Sequence, residues 1–198
     1  MESYKNTDVL IVGSGIAGLS LALRLSDDVK VVLITKGKAD ECSTSWAQGG
    51  IASVTSKKDS FEKHLNDTYK NGHNIVNKKV ASQIIEEGPS CINWLAEIGV
   101  PFTKDDKDRL SLTLEAAHSE RRIVHIDDKT GSVLHKNLYN QVLARKNIKI
   151  LYQHQIIDII SKNNLMDKNQ CIGAYVFNKK DKKIETYGVK NIVLATGG

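Results

Sequence analysis

The sequence is poor in cysteine and contains no long apolar run. Its three cysteines, Cys42, Cys91 and Cys171, are odd in number and widely spaced, which excludes a fully paired disulfide framework and does not match the spacing of zinc ligands. No stretch approaches the roughly 18 apolar residues that a membrane-spanning helix needs, and the first residues, MESYKNTDVLIVG, show no secretory pattern. We therefore expect a protein of the reducing cytoplasm, with no metal site and no membrane partner.

The chain also lacks the interleaved aromatic and basic residues that single-strand nucleic-acid binders use. Aromatic residues make up 6% of the 198 residues, and the formal net charge of +5 comes largely from scattered lysines. This distribution predicts a solvated basic surface and no nucleic-acid partner. With 40% hydrophobic and 26% charged residues, the composition is that of an ordinary globular protein.

A strand, a glycine turn, a helix and a second strand follow one another near the start of the sequence. Residues 8–12 (DVLIV) form the short apolar run that a buried parallel strand shows. The glycine turn at residues 13–18 (GSGIAG) comes next, followed by a helical pattern over residues 19–25 and a β-branched run over residues 29–35. This order within about 30 residues predicts a βαβ unit.

The glycines of GSGIAG predict a pyrophosphate site. Gly13 permits a tight turn, Gly15 lets the backbone approach a pyrophosphate, and Gly18 lets the helix and the strand pack closely. The helix N-terminus then offers its amides to the phosphates. The alternative is a glycine turn that merely connects a strand to a helix. The predicted cofactor contacts in this turn are Gly13, Ser14, Gly15, Ile16, Ala17 and Gly18.

The acidic residue that commonly holds a ribose at the end of the second strand is missing, because Thr35 and Lys36 stand there. Lys36 could meet the phosphate of NADP, the nucleotide could be held differently, or Lys36 could be an ordinary exposed lysine. The segment STSWAQGGIA, residues 43–52, favours a flavin, because Gly49 and Gly50 let the backbone approach a large planar ligand closely.

Four motifs, GSGIAG, ITKG, STSWAQGGIA and the terminal LATGG, resemble those of the flavoprotein group that contains the succinate dehydrogenase flavoprotein subunit, soluble fumarate reductase and L-aspartate oxidase. The resemblance extends over essentially the whole chain and implies FAD as the cofactor. Membrane-complex members have a histidine that bonds covalently to the flavin where this chain has Ser43, so the resemblance implies non-covalent FAD here. The further FAD contacts that it implies are Lys36, Ser43, Thr44, Ser45, Trp46, Ala47, Gln48, Gly49, Gly50, Gln155 and Ile156.

Residues 112–131 (LTLEAAHSERRIVHIDDKTG) are similar to a segment of the L-aspartate oxidase family. The resemblance implies that Glu115 orients the ammonium group of the substrate and that His118 contributes to the catalytic site. The alternatives are a surface Glu115 paired with Arg121 or Arg122, and a structural His118. The family pattern has arginine before the glutamate and two glycines after it, where this chain has Leu114, Ala116 and Ala117.

The activity that the resemblance implies is the FAD-dependent oxidation of L-aspartate to iminoaspartate, with oxygen or fumarate as the electron acceptor. This reaction is the first step of NAD biosynthesis through quinolinate, which makes quinolinate synthase a candidate partner. The alternatives are a soluble fumarate reductase, an inactive FAD-binding fragment and an NADP-binding reductase.

The order of patterns predicts an α/β fold, namely a Rossmann-like FAD-binding domain with a helical insertion and a small antiparallel β-sheet. We expect the βαβ unit over about residues 6–56, a helical segment over about residues 57–146 and a β-rich segment over about residues 147–198. Residues 1–198 would then form the N-terminal part of an FAD-binding domain. The capping and C-terminal helical domains of the resembled family, and the residues that bind the substrate carboxylates, are expected to be absent from this chain.

Overall fold

The computed structural model describes residues 4–73, 75–163 and 169–197. Residues 164–168 of the predicted β-rich segment, and Gly198 of the LATGG motif, lie outside the described residues. The chain divides into two compact units, residues 1–46 with 134–198 and residues 47–133. In chain order the elements are β1 (Tyr4–Val12), α1 (Ile16–Arg24), β2 (Val31–Thr35), α2 (Ser43–Trp46), β3 (Ile51–Ala52), α3 (Phe61–Asn71), α4 (Lys78–Glu97), β4 (Leu112–Thr113), β5 (Ile123–Val124), α5 (Thr130–Ala144), β6 (Ile148–Tyr152), β7 (His154–Asn163), β8 (Asn169–Asn178) and β9 (Lys183–Leu194).

The first unit is built on a six-stranded sheet in the order β6-β2-β1-β9-β8-β7. Strand β1 pairs in parallel with β2 and β9, and β2 pairs in parallel with β6. Strands β7, β8 and β9 form antiparallel pairs that continue the same sheet. The βαβ unit is therefore the centre of a larger mixed sheet.

The centre of this sheet is apolar on both faces. Leu10 and Ile11 point to opposite faces of β1, and both are fully buried, as are Leu33 and Ile34 on β2. Such continuous apolar runs are typical of parallel strands with covered faces. The hydrophobic cluster around Leu10 also includes Tyr187 of β9, so the parallel and antiparallel parts of the sheet share one core.

The second unit contains α3, α4 and a three-stranded antiparallel sheet in the order β3-β5-β4. The side chain of Ser60 caps α3 by accepting a hydrogen bond from Lys63 N at 3.2 Å, as N-cap serines commonly do. Helix α4 runs through Pro89 without a break, and the chain turns after it at Gly99, which has φ +87.

The two units confirm the α/β class, with a Rossmann-like sheet, a helical insertion and a small antiparallel sheet. Within residues 4–73, 75–163 and 169–197, every helix is too short or too polar to cross a bilayer.

Candidate functional site

A cleft of about 590 Å³ opens in the first unit at the carboxyl ends of β1, β2 and β9. Open α/β sheets bind their ligands at this edge. The lining residues are Val12, Gly13, Ser14, Gly15, Ile34, Thr35, Lys36, Glu41, Cys42, Ser43, Thr44, Trp46, His154, Gln155, Ile156, Ala195, Thr196 and Gly197. The cleft therefore brings together most of the cofactor-binding residues predicted in this unit, and the remaining residues of the glycine turn begin α1.

Two of the three glycines of the turn have no room for a side chain. Gly13 has φ +119, and a Cβ there would overlap the carbonyl oxygen of Ala195 and lie 2.8 Å from its carbonyl carbon. A Cβ on Gly18 would overlap the carbonyl oxygen of Gly13. A Cβ on Gly15 would meet only Thr44 Oγ1, at the ordinary contact distance of 3.4 Å. Gly13 and Gly18 therefore serve packing, whereas Gly15 leaves the backbone open to the cleft.

Helix α1 begins at this turn without a side-chain cap. Gly15 is the N-cap residue and offers no side chain to accept from the first amides of the helix. Thr44 Oγ1 accepts a hydrogen bond from Ile16 N at 3.1 Å, which ties α2 to the start of α1. The positive end of the α1 dipole makes this part of the cleft suitable for a phosphate group.

Ser14 fixes the turn from the inside and is buried. Its hydroxyl lies 3.1 Å from Thr35 Oγ1 and donates to Ala39 O at 2.9 Å. Its carbonyl accepts from His135 Nε2 at 2.9 Å. The amide is therefore the only hydrogen-bond donor that Ser14 has left for a ligand. His135 could not be identified from the sequence, because nothing in the local pattern of α5 distinguishes it from a surface histidine.

The part of the cleft next to β2 contains an acidic residue that the dinucleotide pattern did not reveal. Thr35 ends β2 and Lys36 follows it, as predicted, and both line the cleft. Glu41, in the next loop, also lines the cleft, and its Oε2 accepts a hydrogen bond from Lys38 N at 3.1 Å. A carboxylate is thus present beside β2, although not at the position where the pattern places one.

The start of β7 forms another wall of the cleft, which contains His154 and the two residues predicted as FAD contacts, Gln155 and Ile156. His154 is buried, with Nδ1 2.6 Å from Tyr152 O and Nε2 3.6 Å from the carboxylate of Glu185. Burial raises the pKa of Glu185, but hydrogen bonds from three neighbouring side chains outweigh burial and hold the pKa at about 2. This wall therefore lies beside a charged, buried carboxylate.

The predicted flavin-loop residues 47–50 belong to the second unit. A Cβ on Gly50 would lie 2.5 Å from Ile123 Cγ2, so glycine permits close packing against β5. A Cβ on Gly49 would lie 3.3 Å from Oε1 of Glu115. Gly49 therefore leaves room for the Glu115 carboxylate beside the backbone.

Glu115 is the first residue of a tight turn. Its carbonyl accepts from His118 N at 3.2 Å, and Ala117 has φ +75. This is the pattern of a type II turn, in which glycine is preferred at the third position. Ala117 stands where the resembled motif has glycine, and it adopts the positive φ that the turn requires. The turn is therefore kept despite the alanine.

The Glu115 side chain is exposed and pairs with neither Arg121 nor Arg122, and the described part of the chain supplies no other hydrogen-bond or ion-pair partner.

Arg122 is fully buried and binds two aspartates. Its Nε and Nη2 donate to the carboxylate of Asp59, each at 2.8 Å, and its Nη1 donates to Asp67 Oδ2 at 2.6 Å. Burial raises the pKa of Asp67, but hydrogen bonds from Ser119 and Arg122 outweigh burial and bring it to about 2. Arg122 is thus a structural residue, whereas its neighbour Arg121 is exposed.

His118 takes part in the same network. Nη1 of Arg122 lies 3.2 Å from Nδ1 of His118. Because a guanidinium only donates, Nδ1 accepts and the ring proton lies on Nε2. The His118 ring also meets the ring of His64 edge to face at 5.6 Å between centroids, and burial, together with the charge of Arg122, lowers the pKa of His64. His118 therefore has only Nε2–H left for a further partner.

A protein-family model described as the FAD binding domain matches residues 8–198. The L-aspartate oxidase of Vibrio cholerae serotype O1 is 41% identical over 197 residues, covering 96% of this chain and 37% of that protein. The L-aspartate oxidase of Clostridium acetobutylicum is 41% identical over 192 residues, covering 97% of this chain and 42% of that protein. The chain therefore spans about two fifths of the length of these curated relatives.

Solved structures show the same fold. E. coli quinol fumarate reductase FrdA superposes with a TM-score of 0.91 at 25% identity, covering 99% of this chain and 33% of that chain. The Mycobacterium smegmatis Sdh1 complex in the apo form superposes with a TM-score of 0.88 at 23% identity, covering 99% of this chain and 35% of that chain.

Proposed function

Because this chain belongs to the FAD binding domain family, we propose that it is the dinucleotide-binding part of an FAD-dependent L-aspartate oxidase. FAD is the cofactor of this family, which sets aside the NADP alternative. The reaction removes a hydride equivalent from the α-carbon of L-aspartate and a proton from its nitrogen, and yields iminoaspartate. When bound, FAD supplies the two-electron acceptor for this step.

The cleft of the first unit fits FAD, because Gly15 leaves the backbone open to it and, as the N-cap residue of α1, has no side chain to occupy the helix amides. We propose that the turn, residues 13–18, binds the pyrophosphate and that Lys36 and residues 43–50 make further contacts. Gln155 and Ile156 would contact the adenosine portion. The FAD is proposed to be non-covalent, because Ser43 has a hydroxyl where the covalent flavoproteins of the resembled group have an imidazole.

The observation that carries the proposed substrate is the free carboxylate of Glu115. An aspartate differs from succinate by its ammonium group, and a carboxylate without a partner in the described structure is available to bind that charge. We propose His118 as a second contact, because its Nε2–H remains after Nδ1 has been used by Arg122. Oxygen or fumarate is the proposed acceptor. The proposed setting is the cytoplasm, with quinolinate synthase as the proposed consumer of iminoaspartate.

The test compares Glu115→Gln with the wild type in the FAD-loaded full-length protein. We expect the KM for L-aspartate to rise about 10- to 100-fold, because a hydrogen bond to a charged group contributes about 1.5–3 kcal/mol. Hydrogen peroxide release gives the rate in air. Glu120→Gln is the matched control, since Glu120 already pairs with Lys63 at 2.6 Å. Equal KM values in Glu115→Gln and the wild type would contradict the role of Glu115.

A soluble fumarate reductase is the second candidate, and the superposition on quinol fumarate reductase favours it. Such an enzyme would reduce fumarate without air and leave aspartate unoxidised. A yellow protein with neither activity would instead be an inactive FAD-binding fragment.

A further inference from the structure

The turn that begins at Glu115 is anchored to helix α3 at two points. Asn71 Nδ2 donates to Ala117 O at 3.1 Å, and Asp67 Oδ2 accepts from both N and Oγ of Ser119 at 2.8 Å. Two of these three bonds hold backbone groups, Ala117 O and Ser119 N, and the third holds the Ser119 hydroxyl. The Glu115 side chain, by contrast, is free of bonds to the described residues.

The anchors matter because the turn contains an alanine in an unfavourable conformation. Ala117 has φ +75, a region disfavoured for an L-residue by about five- to thirtyfold in population. A residue keeps such a conformation only where its surroundings hold it there. One hydrogen bond corresponds to about two- to twelvefold, so the bond from Asn71 is comparable with the strain that it opposes.

We propose that Asn71 and Asp67 are positioning residues that hold Glu115 in place for the substrate ammonium group. This inference rests on the role of Glu115 proposed above. Asp67 is itself fixed by the buried guanidinium of Arg122 at 2.6 Å, so the anchor is rigid. Glu115 is the first residue of the turn, and α3 holds the backbone after the turn at Ala117 and Ser119. Through this backbone, α3 would fix the position of Glu115.

The variant for the test is Asn71→Ala, because Asn71 is exposed at the end of α3 and its loss should leave the protein folded. Asp67 is buried, and its substitution would disturb the ion pair with Arg122 as well. The matched control is Asn66→Ala, the same change at an exposed position of the same helix. Both are made in the FAD-loaded full-length enzyme.

We expect Asn71→Ala to raise the KM for L-aspartate by about two- to twelvefold, the factor of one hydrogen bond. The inhibition constant for succinate, the same dicarboxylate without the amine, should stay within about twofold, because only the contact to the ammonium group weakens. Asn66→Ala should change neither constant. A parallel rise in both constants for Asn71→Ala, or no rise in either, would overturn the inference.

A second substitution tests whether strain at Ala117 causes the expected rise in KM. Glycine adopts positive φ without penalty, so Asn71→Ala combined with Ala117→Gly should recover the wild-type KM to within about twofold. A double variant as impaired as Asn71→Ala would show that strain at Ala117 is not what the anchor opposes, and would overturn the inference.

Hydrogen exchange separates this inference from the proposed function. The amide of His118, whose hydrogen bond to Glu115 O closes the turn, should exchange faster in Asn71→Ala than in the wild type or in Asn66→Ala, whatever the substrate. If the wild-type enzyme failed to oxidise aspartate, the proposed function would fall, and faster exchange at His118 in Asn71→Ala would still support the anchoring. Equal exchange in the three proteins would overturn the anchoring even in an active enzyme.

Discussion

Replacing Gly13 with alanine should strongly destabilise the first unit, because two penalties fall on one methyl group. Gly13 has φ +119, and a backbone held in such a region costs an L-residue about 1–3 kcal/mol. The new Cβ would also overlap the carbonyl oxygen of Ala195 and lie 2.8 Å from its carbonyl carbon. Relief requires a backbone shift, and overpacking of this kind costs about 1–3 kcal/mol. The sum, about 2–6 kcal/mol, is a large part of the 5–15 kcal/mol that is typical of a domain.

Gly197 provides the matched control for this prediction. It has φ +71, but a Cβ there would meet nothing within 4 Å, so Gly197→Ala adds only the conformational penalty of about 1–2 kcal/mol. Urea unfolding followed by circular dichroism, without FAD, measures both variants. We expect Gly13→Ala to lose distinctly more stability than Gly197→Ala. Equal losses would show that the close approach of Gly13 to Ala195 contributes nothing, and would refute the reasoning.

Three further predictions follow from the same structure. Gly15→Ala should keep the urea midpoint of the wild type. It should bind FAD at least about tenfold more weakly, because the new methyl group would stand where the backbone is proposed to approach the pyrophosphate. A fluorescence titration with FAD measures the affinity. The pKa of Asp67 is lowered from 3.8 to about 2, so ionised Asp67 contributes about 2 kcal/mol of stability above about pH 4, and this contribution is lost as the pH falls towards 2. Unfolding midpoints across this range should show the loss, and Asp67→Asn should abolish this part of the pH dependence. Arg122→Met should cost about 3–5 kcal/mol of unfolding free energy, because it leaves two aspartates buried without a counter-charge. The exposed neighbour is the control, and Arg121→Met should change stability by less than about 0.5 kcal/mol in the same denaturation assay.

The βαβ unit could be predicted because its determinants are local. The apolar run of β1, the glycines at residues 13–18 and the β-branched run of β2 lie within one short segment, and each dictates its own backbone. The sequence also indicated the departure at Ala116 and Ala117. What it could not show is that Ala117 adopts a positive φ and that its carbonyl accepts a hydrogen bond from Asn71, which α3 brings to the turn.

The parts of the site that sequence reasoning missed depend on residues far apart in the chain. Arg121 and Arg122 look alike in sequence, yet Arg122 is buried because Asp59 and Asp67 approach it across separations of 63 and 55 residues. His135 reaches Ser14 across 121 residues. Local periodicity contains no information on such pairs. An ion pair between Glu115 and Arg122 was therefore possible from the sequence, and the structure excludes it because Arg122 binds Asp59 and Asp67.

The proposed FAD site and the proposed substrate contact are built by different means. In the glycine turn, Gly13 and Gly15 line the cleft with backbone, so the features that suit it to a pyrophosphate do not depend on particular large side chains. The turn at Glu115, in contrast, presents a side chain from a backbone that is hydrogen-bonded to two other side chains, Asn71 and Asp67. Substitutions outside the glycine turn can therefore accumulate while the fold around the cleft is kept. The superposition on E. coli quinol fumarate reductase FrdA, with a TM-score of 0.91 at 25% identity, agrees with this. With Glu115 in its proposed role, substrate choice would rest on few side chains and would change when the residues at and behind Glu115 are exchanged. The choice between an amino-acid oxidase and a fumarate reductase should accordingly be decided by this turn and not by the FAD cleft.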